Sequence, residues 1–108
     1  MPRFLTIGYG ERSDYDETPL DLRTAAHEHD ARLVRDGAVT AILSEPVCVT
    51  NKHDQGVQTT SGSFMRSEMP VAGFSLIEAG SLDEAIALVS KTPCAVADGV
   101  VEVWPLQE

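Results

Sequence analysis

From Arg3 to Tyr9 the side chains alternate with a period of two. Leu5, Ile7 and Tyr9 share one side, and Phe4 and Thr6 share the other. That is the pattern of a strand buried on one side. Gly8-Tyr9-Gly10 then releases the chain into Glu11–Glu17, an acidic stretch without periodicity. It is expected to be a solvated loop, as stretches of this composition commonly are; the alternative is a lid over a site at the strand's end. From Thr18 the period lengthens to that of a helix. Thr18 is a cap residue, and Pro19 fits the first helical position. Asp21 suits the positive end of the dipole, and Gly37 is a natural left-handed stop after Asp36. Leu22, Ala25, Ala26 and Leu33 fall on one face of this helix. His29 lies in the middle of that face, and His27 lies away from it toward solvent.

Ala38–Ser44 reads as a second strand, with Val39, Ala41 and Leu43 set against Ile42. Pro46 ends it or marks an edge. Val47–Thr50, the polar turn Asn51–Gly56 and Val57–Thr60 suggest a hairpin. A loop from Ser61 to Pro70 follows. There Gly62 is expected in a conformation that side chains resist, with Phe64 anchoring the loop into apolar surface. Gly73–Glu78 is a strand that runs directly into a helix capped by Ser81, with Glu84 three residues on completing a capping box. Thr92-Pro93 stops that helix, and Val100–Trp104 is the last strand. The order β-α-β, one inserted strand, β-α-β predicts an α+β fold of the ferredoxin-like split βαβ type. Two helices cover one face of its antiparallel sheet. Phe4, Ile42, Leu76 and Trp104 oppose Leu5, Val39, Ile77 and Val103. Either choice of inner face leaves an apolar patch too broad for a lone domain. A two-fold partner is the expected cover, which predicts a homodimer through the sheet.

Length and charge narrow the function. The 108 residues suit one domain spanning 1–108. A net charge of −9 argues against nucleic acid and against an anionic membrane surface. No apolar run approaches the roughly 20 residues that span a bilayer. The first seven residues are strand-like and too short for a signal peptide, so a cytoplasmic protein is expected. Cys48 and Cys94 stand far apart with no Cys-x-x-Cys, which reads as two free thiols.

Gly62 and Phe64, Gly73-Phe74-Ser75-Leu76-Ile77-Glu78, Ser81-Leu82-Asp83-Glu84-Ala85 and Val101-Glu102-Val103 together carry a resemblance. The chain resembles the YCII-related superfamily over nearly its whole length. More narrowly it resembles the DGPF-motif branch, in which an Asp-Gly-Pro-Phe loop precedes a Gly-Phe or Gly-Tyr strand. The resemblance implies membership of the dimeric α+β barrel group. This chain departs from the branch at several points. Its loop reads Ser61-Gly62-Ser63-Phe64, without the acid and the proline. Arg66 and Glu68 stand where the branch carries Glu and Lys, so the charges are exchanged. In other members of the superfamily a His and an Asp form an acid-base pair. Counted back from Gly37, that His falls on Ala26, beside His27, and the Arg before it falls on Arg23. The Asp expected before Pro93 is Thr92.

Two histidines are therefore the catalytic candidates. His29 sits on an apolar helix face, where an imidazole can exchange a proton near neutral pH or serve as a core residue held by one hydrogen bond. His27 is the second. Arg23, Ser61, Arg66 and Glu68 are the ligand-binding candidates: the arginines can hold a carboxylate or phosphate, and Ser61 flanks Gly62. The three histidines lack the spacing of a metal site, Gly8-Tyr9-Gly10 makes no phosphate loop, and no cofactor is implied. Two functions fit. One is a dimeric module that binds a small molecule or regulates. The other is a small enzyme using His-based acid-base chemistry on a cyclic or aromatic metabolite. A histidine sharing a cleft with Asp14, Asp16 or Glu68 would favour the enzyme.

Overall fold

The computed structural model describes residues 1–108. In chain order its elements are β1 (Arg3–Tyr9), α1 (Arg12–Glu17), α2 (Leu20–Arg35), β2 (Val39–Ile42), β3 (Val47–Thr50), β4 (Gln58–Ser61), β5 (Val71–Glu78), α3 (Leu82–Val89), α4 (Pro93–Val96) and β6 (Val100–Pro105). The fold is α+β. Four strands form an antiparallel sheet in the order β2-β5-β1-β6, while β3 and β4 pair only with each other. The expected single inserted strand is thus a separate two-stranded arm. The sheet stays open, with β2 and β6 as its edges. No helix is long and apolar enough to cross a membrane.

Register decides which side chains share a face, because neighbours across paired strands point the same way. Phe4 pairs with Ile77, Thr6 with both Ser75 and Val103, and Gly8 with Gly73 and Val101. This face carries the core: Phe4 and Ile77, with Ala79, meet Ala85 and Val89 of α3, flanked by Val101 and Val103. Leu5 pairs with Leu76 and Trp104, and Val39 with Leu76. These four residues therefore lie together on the other face, which no helix covers. The sequence grouping of Leu76 and Trp104 with Phe4 is corrected here. Alternation within one strand does not fix its phase relative to the next strand; register does. At Gly73 the neighbouring strand comes close: a Cβ there would stand 2.6 Å from the Ala41 carbonyl oxygen.

The helices differ from expectation in number as well as length. Ser81 caps α3 as the sequence predicts: the Glu84 N–H donates to Ser81 Oγ at 3.1 Å, and the Glu84 carboxylate accepts the Gly80 N–H at 3.0 Å. Pro93 both follows α3 and opens the short α4. Gly37 ends α2 at φ +107°. Thr18 does not cap α2. It is buried, and its hydroxyl donates to the Asp14 carbonyl at 2.8 Å. That bond closes α1, which occupies the acidic stretch expected to be a loop. An Arg12–Asp16 ion pair at 3.2 Å spans one turn of it. Four helices, rather than two, therefore accompany the sheet.

α2 packs chiefly on α4 rather than on the strands. Ala26 is its one buried residue, and Leu22 on the expected apolar face is exposed. The gap this leaves over the sheet is the cleft described below. The arm also stands off the body, and the molecule measures 52 × 36 × 21 Å with a radius of gyration of 15.8 Å. A compact chain of this length has a radius of about 13 Å. The chain exposes 7762 Å², against about 5,800 Å² for a typical folded monomer of its mass.

Candidate functional site

Between α2 and the helix-side face of the sheet lies a cleft of about 520 Å³. Thr40, Gly73, Ser75 and Ile77 contribute to its floor, Asp30 and Leu33 of α2 to one wall, and Pro93 and Cys94 at the start of α4 to another. Arg12 and Tyr15 of α1 and the exposed His27 stand at the mouth. The size and the mixture of apolar wall with a few polar groups are those of a small-molecule site. A second depression of about 620 Å³ lies in the bend of the arm, around Lys52, His53 and Gln55. Val57 is its only apolar lining residue, so it offers little surface to take from water.

The mouth is held by a short set of contacts. Tyr15 Oη and His27 Nε2 share a hydrogen bond of 2.6 Å. The Arg23 guanidinium lies 5.3 Å from the Tyr15 ring centroid and that of Arg12 lies 5.9 Å away, both within cation-π range. Arg23 Nε is buried and has no hydrogen-bond partner. α1, in the stretch expected to be a solvated loop, supplies Arg12 and Tyr15 to the site.

Deeper in the cleft, burial raises the Asp30 carboxyl above the ordinary carboxylate range, with the nearby His27 and His29 partly opposing the shift. Burial, and then the Asp30 charge, raise the Cys94 thiol. A raised thiol pKa means less thiolate, so Cys94 here is a wall residue rather than a nucleophile. Along the floor the Ser75 hydroxyl donates to Thr40 Oγ1 at 2.8 Å, and Thr40 donates to the Phe74 carbonyl at 2.9 Å. Hydroxyl donors and acceptors are therefore fixed on the floor beside Ile77.

The structure separates the sequence candidates. His29 points away from the cleft: its Nε2–H donates to the Leu88 carbonyl at 2.6 Å, tying α2 to α3. That contact is the structural reading of His29, and its ring is half-buried. His27 lines the cleft mouth. Arg23 stacks on Tyr15 behind it. Ser61 is an exposed residue of β4 paired with Val47, and Arg66 and Glu68 are exposed in the loop that follows; none of the three lines the cleft. Phe64 was expected to anchor that loop, but it is 88% exposed. The loop follows the arm strand β4, whose own residues are all exposed. Gly62 does take the expected left-handed conformation, at φ +99°.

Asp30, Tyr15, Arg12 and Cys94 were not singled out from sequence. For Asp30 a signal existed: it follows His27 by three residues, which places both on one side of a helix. Asp14, Asp16 and Glu68, the acids expected near a catalytic histidine, do not line the cleft. No three His, Cys, Asp or Glu side chains converge as metal ligands would. Compared with known proteins, the chain matches no family model and no curated protein.

Proposed function

We propose that this protein is a small-molecule-binding domain that works as a homodimer and takes a ring-sized ligand in the cleft between α2 and the sheet. The observation that carries this reading is the cleft itself. Helix α2 is held off the strands by α4, leaving about 520 Å³ lined by apolar side chains, with Arg12, Tyr15, His27 and Asp30 converging on it. An open apolar cleft of this size leaves surface in water that a ligand would cover, and Arg12, Tyr15 and His27 at its mouth with Asp30 on its wall offer the few polar groups that orient one.

The strand order β2-β5-β1-β6 supports a ferredoxin-like split βαβ plan, with the arm as an insertion after β2. The bare sheet face with Leu5, Val39, Leu76 and Trp104 supports a second copy as its cover, in the dimeric α+β barrel arrangement of the YCII-related group. The exposed area supports it too. The surplus over a typical monomer is about 1,900 Å², well above the roughly 800 Å² each partner contributes to a standard interface. Two free cysteines suit a cytoplasmic setting.

A catalytic version of this reading has one observation in its favour. His27, hydrogen-bonded to Tyr15 at 2.6 Å, shares the cleft with Asp30. That gives a base, a phenol to relay its proton and an acid on one wall, which suffices for proton transfer to or from a bound ring. His27 replaces His29 as the residue for that role.

Amide chemical-shift mapping tests the binding reading. Titration with p-cresol and with indole-3-acetamide should move the signals of Gly73, Ser75, Asp30 and Cys94 and leave those of the arm in place. Shifts confined to the arm, or no saturable shift with either compound or with indole-3-acetate, would overturn it. Light scattering tests the dimer, for which a mass near 11.6 kDa at micromolar concentration is the contrary result.

A further inference from the structure

The cleft does not share the acidic character of the chain. Of 17 Asp and Glu residues, Asp30 is the only one that lines it, and Asp30 lies on the α2 wall rather than at the exposed mouth. The mouth gathers Arg12 and His27, and Arg23 stacks on Tyr15 just behind them. On a molecule of net charge −9, a cluster of two guanidinium groups around one phenol needs a reason. Arg12 has one carboxylate partner, Asp16, in an exposed pair, which contributes little to stability. Arg23 does not line the cleft itself, but its guanidinium lies 5.3 Å from the Tyr15 ring centroid and so adds positive charge next to the mouth.

The Tyr15–His27 bond tells how an anion would be received. With an anion at the mouth, His27 Nε2–H donates to the phenol oxygen, and the Tyr15 O–H donates onward to the anion. A donor chain of this kind strengthens as its end meets a negative charge. Arg12 can close on the same anion from α1. Behind this mouth Leu33, Ile77 and Val89 offer the apolar surface that a ring requires.

Building on the cleft-binding reading, we infer that the cleft selects a ring-bearing carboxylate, an aromatic or alicyclic acid. Its carboxylate lies against Arg12 and the Tyr15–His27 pair, and its ring lies between α2 and the sheet floor. The role of anion holder passes from Arg66, which is outside the cleft, to Arg12, with Arg23 supporting the charge from behind Tyr15.

A matched pair of ligands isolates the charge. Indole-3-acetate and indole-3-acetamide have the same ring and nearly the same shape. Their dissociation constants, measured by chemical-shift titration, should differ by about tenfold or more in favour of the acid, the usual return on charge-assisted hydrogen bonds. Arg12→Gln should bring the two within about twofold by weakening the acid alone, and Tyr15→Phe should act in the same direction. Arg66→Gln makes the same change in net charge outside the cleft and should leave the preference intact. Equal binding of acid and amide by the unaltered protein overturns the carboxylate assignment while leaving the cleft as a binding site. Loss of the preference in Arg66→Gln as strongly as in Arg12→Gln overturns it too, because the effect is then one of overall charge. Failure of both ligands to bind removes the cleft reading and this inference together.

Discussion

β1 and β5 pair through seven positions in the body, and β3 and β4 through four in the arm. Both ladders pair backbone groups across strands, β1 and β5 with neighbours on both sides and β3 and β4 only with each other, and in both the side chains alternate between two faces. In the body that alternation is met by something. Phe4 and Ile77 are 3% and 2% exposed beneath α3. In the arm it is met by water: Val47 and Val49 are 60% and 63% exposed, and Cys48 is the one residue of either strand that is even half-buried. The arm is held by its bend instead. The Gly56 N–H donates to Asn51 Oδ1 at 3.1 Å, and Asn51 Nδ2 donates to Asp54 at 3.1 Å. His53 and Asp54 both take positive φ to make that geometry, at a local cost. A lone two-stranded ribbon is marginal in water. The contrast shows that pairing supplies shape in both regions, while burial supplies stability in only one.

Substitutions at four positions probe this difference. The largest effect belongs to the body: Phe4→Ala should destabilise by about 3–5 kcal/mol in chemical denaturation, the usual cost of emptying a buried aromatic site. A loss below about 1 kcal/mol would mean that the body is no better packed than the arm. Next, Ser81→Ala removes the cap of α3 and should cost about 1 kcal/mol. Restoration by Ser81→Asp, which can accept the same N–H, would separate capping from packing.

A smaller effect of opposite sign is expected at Asp30, where the body works against itself. Its raised carboxyl means that the folded chain holds this proton more tightly than the unfolded chain does. The stability linked to it is complete below the unfolded value of about 3.9 and is lost as pH rises through the folded value. Asp30→Asn should therefore raise Tm relative to the parent at pH 7, with the gain shrinking toward pH 4. An equal gain at both pH values would contradict the burial of that carboxyl. The smallest effect should be that of Phe64→Ala, under about 0.5 kcal/mol for an exposed side chain. A larger loss that grows with protein concentration would show that a second copy covers the arm, which turns the contrast between the two regions into a property of the isolated chain.

What the sequence revealed of this architecture follows the same division. Local rules were readable where they act alone. Ser81 with Glu84 announced α3, Gly37 announced the end of α2, and the alternation at Arg3–Tyr9 announced β1. α1 was hidden because none of its six residues is buried, so no apolar period marks it. Only the Arg12–Asp16 spacing hinted at a helical turn. The site was harder still. His29 satisfies itself on Leu88, 59 residues away, and such a partner has no local signature. His27 looked like a solvent residue, and it is exposed. It acquires a neighbourhood only because α1 brings Tyr15 across and because α2 stands off the sheet. Phe64 carried the strongest apolar signal in its loop, yet it stands exposed, because apolar character alone does not say which surface a loop residue meets.

One side chain on the bare sheet face gives these questions an optical handle. Trp104 is the chain's single tryptophan. It is 50% exposed, with its indole N–H directed to the Glu102 carboxylate at 3.4 Å, and the Tyr9 hydroxyl donates to the same carboxylate at 2.6 Å. Its fluorescence arises on the side of the sheet opposite the cleft floor. Covering that face dries the indole and shifts its emission to the blue, whereas filling the cleft leaves the indole in the same surroundings. Assembly and ligand capture thus produce separable signals, one in emission wavelength and the other in the amide spectrum of the cleft.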